Sequence, residues 1–205
     1  LGDVIGACAD ARDLVRQILD FARREEDERP SEVHDLAEIV NVRLGLIQAA
    51  VPCGIEMRLG LDEGVCAQVD PAQMQQVLLN ICQNAAHAME GQGMLVIKVR
   101  EERVLGAVTT TDRDLPAGRY AVLSIMDTGP GIRAEDVSKI FDPFYTTKGP
   151  RGSGLGLSGV HGIVTRAGGG IKVTTARGRG TTFEIYLPAA TAAAQSGAGE
   201  REYVA

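Results

Sequence analysis

Two asparagines, Asn80 and Asn84, lie one helical turn apart in residues 69–89, where apolar residues recur at helical spacing. Steps of four, four and three residues put both on one face of the predicted helix, in the set Gln76, Asn80, Asn84 and His87. An Asn carbonyl oxygen can ligate a hard cation such as Mg²⁺, and its amide can donate to phosphate oxygens. The spacing therefore indicates a polar binding site, although a pair of solvent-facing amides would give the same pattern.

An aspartate at a strand end is a second candidate. The segment IMDTGPGI, residues 125–132, indicates a buried strand that delivers Asp127 into a glycine-rich turn. A carboxylate there can accept a hydrogen bond from an exocyclic amine, and Gly129 and Gly131 allow a flat ring to approach the backbone. An ordinary strand-to-turn aspartate is the alternative interpretation.

A third candidate is the glycine-rich segment GPRGSGLGLSGVHG, residues 149–162, which runs into a predicted helix. Unpaired N–H groups at a helix start, made approachable by glycine, can bind phosphate. A flexible surface loop is the alternative for this segment.

The longer segment FDPFYTTKGPRGSGLGL, residues 141–157, has the composition of a hinged lid. We expect Phe141 and Phe144 to be its apolar anchors. Lys148 and Arg151 are placed to reach phosphates when such a lid closes.

Helices and strands must position these residues. Asp70 is the expected N-cap of the helix over residues 69–89, with Pro71 at its first position. Further helices are predicted over residues 3–28, 36–49 and 155–167. Strands are predicted over residues 54–61, 94–103, 119–127, 170–176 and 181–188, with a hairpin-like excursion between the second and the third. We expect a sheet covered on one face by helices, and a disordered tail or linker from Ala189.

Composition limits the function classes. The net charge of −6 over 205 residues offers no basic excess for general nucleic-acid binding. No apolar run approaches the roughly 20 residues that span a bilayer, so we expect no membrane contact by this fragment. The cysteines match no common zinc spacing and favour reduced thiols in a cytoplasmic protein, with Cys82 in the core; they are Cys8, Cys53, Cys66 and Cys82.

The candidate segments follow one another in the same order as the motifs of a known domain. Asn80 and Asn84, D-x-G-x-G at residues 127–131, the FDPF segment, GSGLGL and then GRGT at residues 178–181 resemble the successive boxes of the histidine-kinase catalytic and ATP-binding domain. That domain belongs to the GHKL ATPase superfamily and has the Bergerat fold. The resemblance covers about residues 31–188 and implies an α/β fold (an α+β sandwich), a mixed sheet with helices packed on one face, and an ATP lid.

The first predicted helix extends the resemblance. ARDLVRQILDFARR, residues 11–24, is similar to the end of the second dimerisation and phosphotransfer helix of sensor kinases. Residues 1–30 would then be that helix end and a linker, followed by the catalytic domain over residues 31–188 and a tail or linker over residues 189–205. Such a fragment would transfer the ATP γ-phosphoryl group to a histidine upstream of the chain. The phosphotransfer domain would relay it to an aspartate of a response-regulator receiver domain. The full-length protein would be a homodimer that is soluble or membrane-anchored.

The resemblance also implies roles for single residues. Asp127 would recognise the adenine amino group of ATP or ADP, aided through water by Thr181, and Asn84 would ligate Mg²⁺. Asn80, beside the phosphates, and Lys148 would be the catalytic residues. Backbone N–H groups around three glycines would cradle the phosphates. The other implied ATP-binding residues are His87, Gly129, Gly131, Ile132, Thr147, Arg151, Gly152, Ser153, Gly154, Leu155, Gly156 and Leu157.

Two positions bear on which member of the superfamily this is. His87 stands where many members place Lys or Arg, so a phosphate contact there would be weaker and pH-dependent, and the cationic share would fall on Lys148 and Arg151. Asn80 stands where gyrase, mismatch-repair and chaperone ATPases place a glutamate base, and a neutral amide cannot take a proton from water. This favours a kinase over a hydrolase.

The phosphoaccepting histidine itself is not expected in this chain. His34 falls where the family begins its first strand, while His87 and His161 belong to the helices around the nucleotide. Anti-sigma-factor serine kinases share much of the pocket, but they leave the first helix unexplained. A nucleotide-binding module without phosphotransfer, acting as an interaction domain, remains the alternative from another class.

Overall fold

The structure, a computed structural model, describes residues 32–111, 113–147 and 153–191. The predicted helix over residues 3–28 and residues 192–205 of the predicted tail lie outside the described residues. In the part of the chain that the structure describes, no helix combines the length and the apolar character needed to cross a membrane.

The helices begin where short-range signals place them. The Asp35 carboxylate caps the first helix by accepting from the Ala37 N–H at 2.8 Å, and Asp70 caps the second by accepting from the Ala72 N–H at 2.7 Å. Pro71 follows at the first helical position, as predicted. The helices are α1 (Leu36–Ala50), α2 (Pro71–Ala88), α3 (Ala134–Val137) and α4 (Gly156–Arg166).

The strands form one mixed sheet and a small separate hairpin. They are β1 (Glu32–Asp35), β2 (Ile55–Leu61), β3 (Cys66–Val69), β4 (Gly93–Val104), β5 (Val108–Thr109), β6 (Asp114–Leu115), β7 (Gly118–Asp127), β8 (Gly170–Thr175) and β9 (Thr181–Ala190). Among the described residues the sheet order is β1-β3-β9-β7-β4-β2, with β8 also paired to β9. Only the β2–β4 pair of this sheet is parallel in the described chain. The predicted mixed sheet is therefore confirmed.

The long helices cover one face of this sheet. α2 lies in the middle, in contact with α1 on one side and α4 on the other, and it also contacts β7. Its predicted apolar face is buried throughout; this face is Leu78, Ile81, Cys82, Ala85 and Met89. Burial raises the pKa of the Cys82 thiol to about 12, so Cys82 is a core residue with no thiolate at neutral pH.

The opposite face carries the predicted hairpin-like excursion, β5 and β6. Leu115 packs there with Tyr120, Val122 and Tyr186, and the two tyrosine rings lie edge to face with centroids 6.0 Å apart. Thr111 extends the contact: its N–H donates to the Ile171 carbonyl at 2.8 Å, and its hydroxyl accepts from the Val173 N–H at 3.0 Å. The excursion therefore protects the outer edge of β8.

The described elements differ from the sequence expectation in their number and at two boundaries. β3 and α3 were not predicted, because four-residue elements show no periodicity; β1 was expected from the resemblance alone, which begins the family's first strand at His34. Val69 ends β3 instead of beginning α2. β9 continues through Ala190, where Ala189 pairs with Ala67, so the ordered fold extends two residues beyond the predicted boundary at 188.

Candidate functional site

The two asparagines lie where α2 meets the start of α4. The Asn80 side-chain amide donates to the Gly156 carbonyl oxygen at 3.1 Å. A β-carbon built on Gly156 would lie 3.8 Å from Asn80 Cγ and 3.9 Å from Asn84 Nδ2. The structure thus brings the predicted amide pair and the predicted glycine-rich helix start together, although they are far apart in sequence.

Asp127 ends β7 and is only 6 % exposed. Its Oδ1 accepts from the Gly129 N–H at 2.8 Å and from the Thr181 N–H at 3.3 Å. Burial raises the pKa of Asp127 above its ordinary value, and the two backbone hydrogen bonds oppose that rise without cancelling it. A buried carboxylate held by backbone donors is a pre-oriented acceptor, which suits an amine-bearing ring.

The turn after Asp127 requires glycine at particular positions. Gly131 has a φ of +78°, and a β-carbon there would overlap the Ala176 carbonyl. Gly180 has a φ of +83°, and a β-carbon there would overlap the backbone carbonyl of Asp127. The two glycines therefore let the GRGT turn pack directly on the Asp127 turn.

Thr175, at the end of β8, links these two turns and was missed in the sequence. Its hydroxyl accepts from the Ile132 N–H at 2.8 Å and lies 3.1 Å from the Gly180 carbonyl and 3.2 Å from the Thr181 hydroxyl. Nothing in the local sequence marks this threonine, because its partners lie in other segments.

The FDPF segment is anchored differently from the prediction. Phe141 packs against the core and stacks on His161, with ring centroids 5.3 Å apart, as expected of an anchor. Phe144 was predicted as a second anchor, but this prediction is wrong because its side chain is 66 % exposed. Its backbone has a φ of +67°, and its N–H donates to the Gly154 carbonyl at 3.1 Å, so the backbone makes the attachment.

The second side-chain anchor is Tyr145. Its hydroxyl donates to Asp136 Oδ1 at 2.6 Å, while the Arg133 Nε donates to Asp136 Oδ2 at 2.7 Å. These hydrogen bonds keep the pKa of Asp136 below its ordinary value. Asp136 is a buried member of α3, so the FDPF segment is tied to the element that follows the Asp127 turn.

The remaining predicted site residues are placed in part. His87 is exposed near the end of α2, and Ser153 accepts from the Leu155 N–H at 3.4 Å just before α4. Leu157 packs against the core, and Thr147 is exposed. Lys148, Arg151 and Gly152 lie outside the described residues. No cluster of three or more His, Cys, Asp or Glu side chains suited to a metal occurs among the described residues.

Residues 69–191 match the family model described as histidine kinase-, DNA gyrase B-, and HSP90-like ATPase. The chain belongs to this ATPase family. Membership implies that the ATPase domain binds ATP, and the matched residues run from the end of β3 through β9 and include Asn80, Asn84, Asp127 and Thr181.

Curated relatives of this ATPase domain are sensor kinases. The sensor kinase CckA of Brucella abortus (strain 2308) is 39 % identical over 180 residues, which cover 87 % of this chain and 19 % of CckA. The sensor histidine kinase ZraS of Klebsiella oxytoca is 36 % identical over 156 residues, which cover 75 % of this chain and 30 % of ZraS. The predicted resemblance to the histidine-kinase catalytic domain is therefore confirmed, and the chain spans less than a third of these relatives' length.

Solved structures show the same fold. The catalytic domain of the histidine kinase ThkA is 26 % identical, covers 77 % of this chain and 96 % of that chain, and has a TM-score of 0.57. The mycobacterial sensor histidine kinase MprB is 24 % identical, covers 78 % and 99 % of the two chains, and has a TM-score of 0.62, which supports the fold alone.

Proposed function

We propose that the chain is the ATP-binding catalytic domain of a two-component sensor histidine kinase. It transfers the γ-phosphoryl group of ATP to a histidine upstream of this chain, for relay to an aspartate of a response-regulator receiver domain. The observation that carries the proposal is the Asn80–Gly156 hydrogen bond, which puts a neutral amide at the glycine-rich start of α4. A hydrolase of this family needs a carboxylate base there, whereas a kinase needs only to position phosphates.

The two ends of the site suit the two ends of ATP. Asp127, buried at the end of β7, accepts from the adenine amino group, with Thr181 beside it. At the other end, the backbone N–H groups at the start of α4 bind phosphate oxygens, since a helix N-terminus favours anions. The resemblance assigns His87, Lys148 and Arg151 to contact with the phosphates as well.

Asn84 suits Mg²⁺ as a ligand. Asn84 borders the start of α4, and its amide oxygen would supply one ligand of this hard cation. When bound, Mg²⁺ neutralises phosphate charge. Asn80 keeps the start of α4 in place, and the chain's own contribution to transfer is orientation and water exclusion.

Phosphoryl transfer then needs an acceptor supplied from outside this chain. An imidazole nitrogen of the upstream histidine attacks the γ-phosphorus as the bond to the β-γ bridging oxygen breaks, and ADP leaves with that electron pair. We propose that the full-length protein is a homodimer, that its phosphotransfer domain presents this histidine, and that the protein acts in the cytoplasm.

Labelling with γ-³²P-ATP and Mg²⁺ tests the proposal. The full-length protein should acquire acid-labile phosphohistidine, and the 205-residue chain alone should not. Adding a separate upstream segment that bears the histidine should restore labelling in trans. Stoichiometric label on His34, His87 or His161 would overturn the assignment of an external acceptor. A full-length protein that binds ATP without labelling would favour the non-catalytic nucleotide-binding module.

A further inference from the structure

Thr175 makes hydrogen-bond contacts with three groups of the proposed adenine end, yet neither the sequence nor the resemblance assigns it a role. Its Oγ1 lies 2.8 Å from the Ile132 N, 3.1 Å from the Gly180 O and 3.2 Å from the Thr181 Oγ1. The first group belongs to the turn after Asp127, and the other two belong to the GRGT turn.

The direction of each bond follows from the chemistry of the partners. A threonine hydroxyl has one proton to donate and two lone pairs to accept with. The Ile132 N–H can only donate and the Gly180 carbonyl can only accept, so Thr175 accepts from the first and donates to the second. The Thr181 hydroxyl must then donate to Thr175. This arrangement satisfies all three contacts, and it uses the only hydroxyl proton of Thr181.

The Thr181 hydroxyl is thereby left with lone pairs alone for any ligand or bridging water. Thr181 is 5 % exposed, and its N–H donates to Asp127 Oδ1 at 3.3 Å, so the two residues form one edge of the site. An ionised Asp127 also only accepts. Such an edge matches the 6-amino group of a purine and opposes a 6-oxo group, whose oxygen would face acceptors with no proton between them.

We infer that Thr175 is a positioning residue that sets nucleobase specificity, because it holds the Thr181 hydroxyl as an acceptor. The inference rests on the proposed nucleotide site and adds to it a residue with no contact to the ligand. The bond from the Ile132 N–H gives Thr175 a second effect, which is to hold the turn after Asp127 for any purine nucleotide. That second effect changes the affinity for all purine nucleotides equally. The first effect changes the ratio of the affinities for 6-amino and 6-oxo purine nucleotides.

Inosine triphosphate carries a 6-oxo group in place of the amino group, so its affinity relative to ATP reports the specificity. We would measure both dissociation constants with Mg²⁺ by titration calorimetry on the wild-type chain and on Thr175→Val, Thr175→Ser and Thr174→Val. Thr174 is the matched control because it is exposed and points to the opposite face of β8.

Thr175→Val should weaken ATP binding and lower the preference for ATP over inosine triphosphate by about fivefold or more. The released Thr181 proton can then donate to a 6-oxo group. Thr175→Ser should keep both the ATP affinity and the preference for ATP, and Thr174→Val should change neither of them. In a Thr181→Val background, Thr175→Val should cause no further change in the preference, because it acts through the Thr181 hydroxyl.

An unchanged preference in a folded Thr175→Val variant that still binds ATP would overturn this inference and leave the proposed function standing. Wild-type protein that binds neither ATP nor inosine triphosphate would overturn both this inference and the proposed function. If circular dichroism shows that Thr175→Val does not fold, Thr175→Cys gives the same test, since a thiol of similar size is a weak hydrogen-bonding group.

Discussion

The side-chain amide of Asn80 donates to the carbonyl oxygen of Gly156, which ties the middle of α2 to the first residue of α4. This bond has a fixed polarity, because a backbone carbonyl can only accept. A hydrogen-bond donor is therefore needed at this position for structural reasons.

Asn80→Asp tests that requirement. The new carboxylate would face the Gly156 carbonyl with no proton between the oxygens, so the free energy of unfolding should fall by about 1–3 kcal/mol. Gln83→Glu makes the same chemical change at an exposed position of the same helix and should have little effect. Urea denaturation of both variants gives the comparison, and equal stabilities would contradict the assigned bond.

Asn84 should control the dependence of nucleotide binding on magnesium. Asn84→Ala removes the proposed ligand, so ATP affinity with Mg²⁺ should fall to the level measured in excess chelator. Asn84→Asp should keep the dependence, since a carboxylate oxygen also ligates Mg²⁺. Calorimetry with and without Mg²⁺ gives the test, with Gln83→Ala as control. An Asn84→Ala variant that keeps the magnesium effect would remove Asn84 from the metal site.

Asp127→Asn should weaken ATP binding. The variant keeps an oxygen that can accept from the Gly129 N–H, but the adenine amine loses a charged acceptor. We expect a loss of about 1–3 kcal/mol in binding free energy, measured by calorimetry at neutral pH. Unchanged affinity in a folded variant would show that Asp127 does not contact the base.

The raised pKa of Asp127 predicts opposite pH trends for stability and for binding. Burial favours the protonated carboxyl, so its stabilising contribution to the empty protein is complete below the ordinary pKa of 3.8 and is lost as the pH rises through the higher native value. ATP needs the ionised form, so affinity should fall as the pH drops through that native value.

Comparing wild type with Asp127→Asn isolates this group, because the other titrations cancel in the difference. The stability of the variant relative to wild type should rise with pH across that window, and its ATP affinity should depend less on pH. If the difference in unfolding free energy stays constant from about pH 3.5 to about pH 7, Asp127 titrates normally.

Tyr145→Phe should loosen the FDPF segment. The change keeps the ring and removes the hydroxyl that donates to Asp136. Amide hydrogens of residues 142–147 should exchange severalfold faster, and ADP should dissociate faster, because little other side-chain burial holds this segment. Tyr120→Phe removes another tyrosine hydroxyl bond, to the Pro116 carbonyl, and should leave this segment unchanged. Identical exchange in both variants would rule out Tyr145 as an anchor.

The sequence predicted the long elements well because their signals are local. Asp70 and Pro71 marked the start of α2, alternating apolar residues marked β2, and strand-like runs rich in apolar residues marked β4, β7 and β9. The spacing of Asn80 and Asn84 also predicted their common placement. These features depend on residues that are close to one another in the sequence.

Features that depend on distant partners could not be predicted in the same way. β3 exists because it pairs with β1 on one side and with the end of β9 on the other. Phe144 is apolar, and composition alone suggested an anchor, but its positive φ turns the side chain outward while Tyr145 makes the contact. Thr175 gains its role from two turns that are close only in the folded chain.

The position of β9 has a consequence for folding during synthesis. It is the last strand of the described chain, yet it pairs with β7 along one edge and with β8 and β3 along the other. On the ribosome, β1, β3 and β8 therefore have no place on the sheet until residues 181–190 have emerged. A nascent chain that stops earlier exposes the unpaired edge of β7 and lacks Thr181 beside Asp127, so it should depend on chaperones and fail to bind nucleotide.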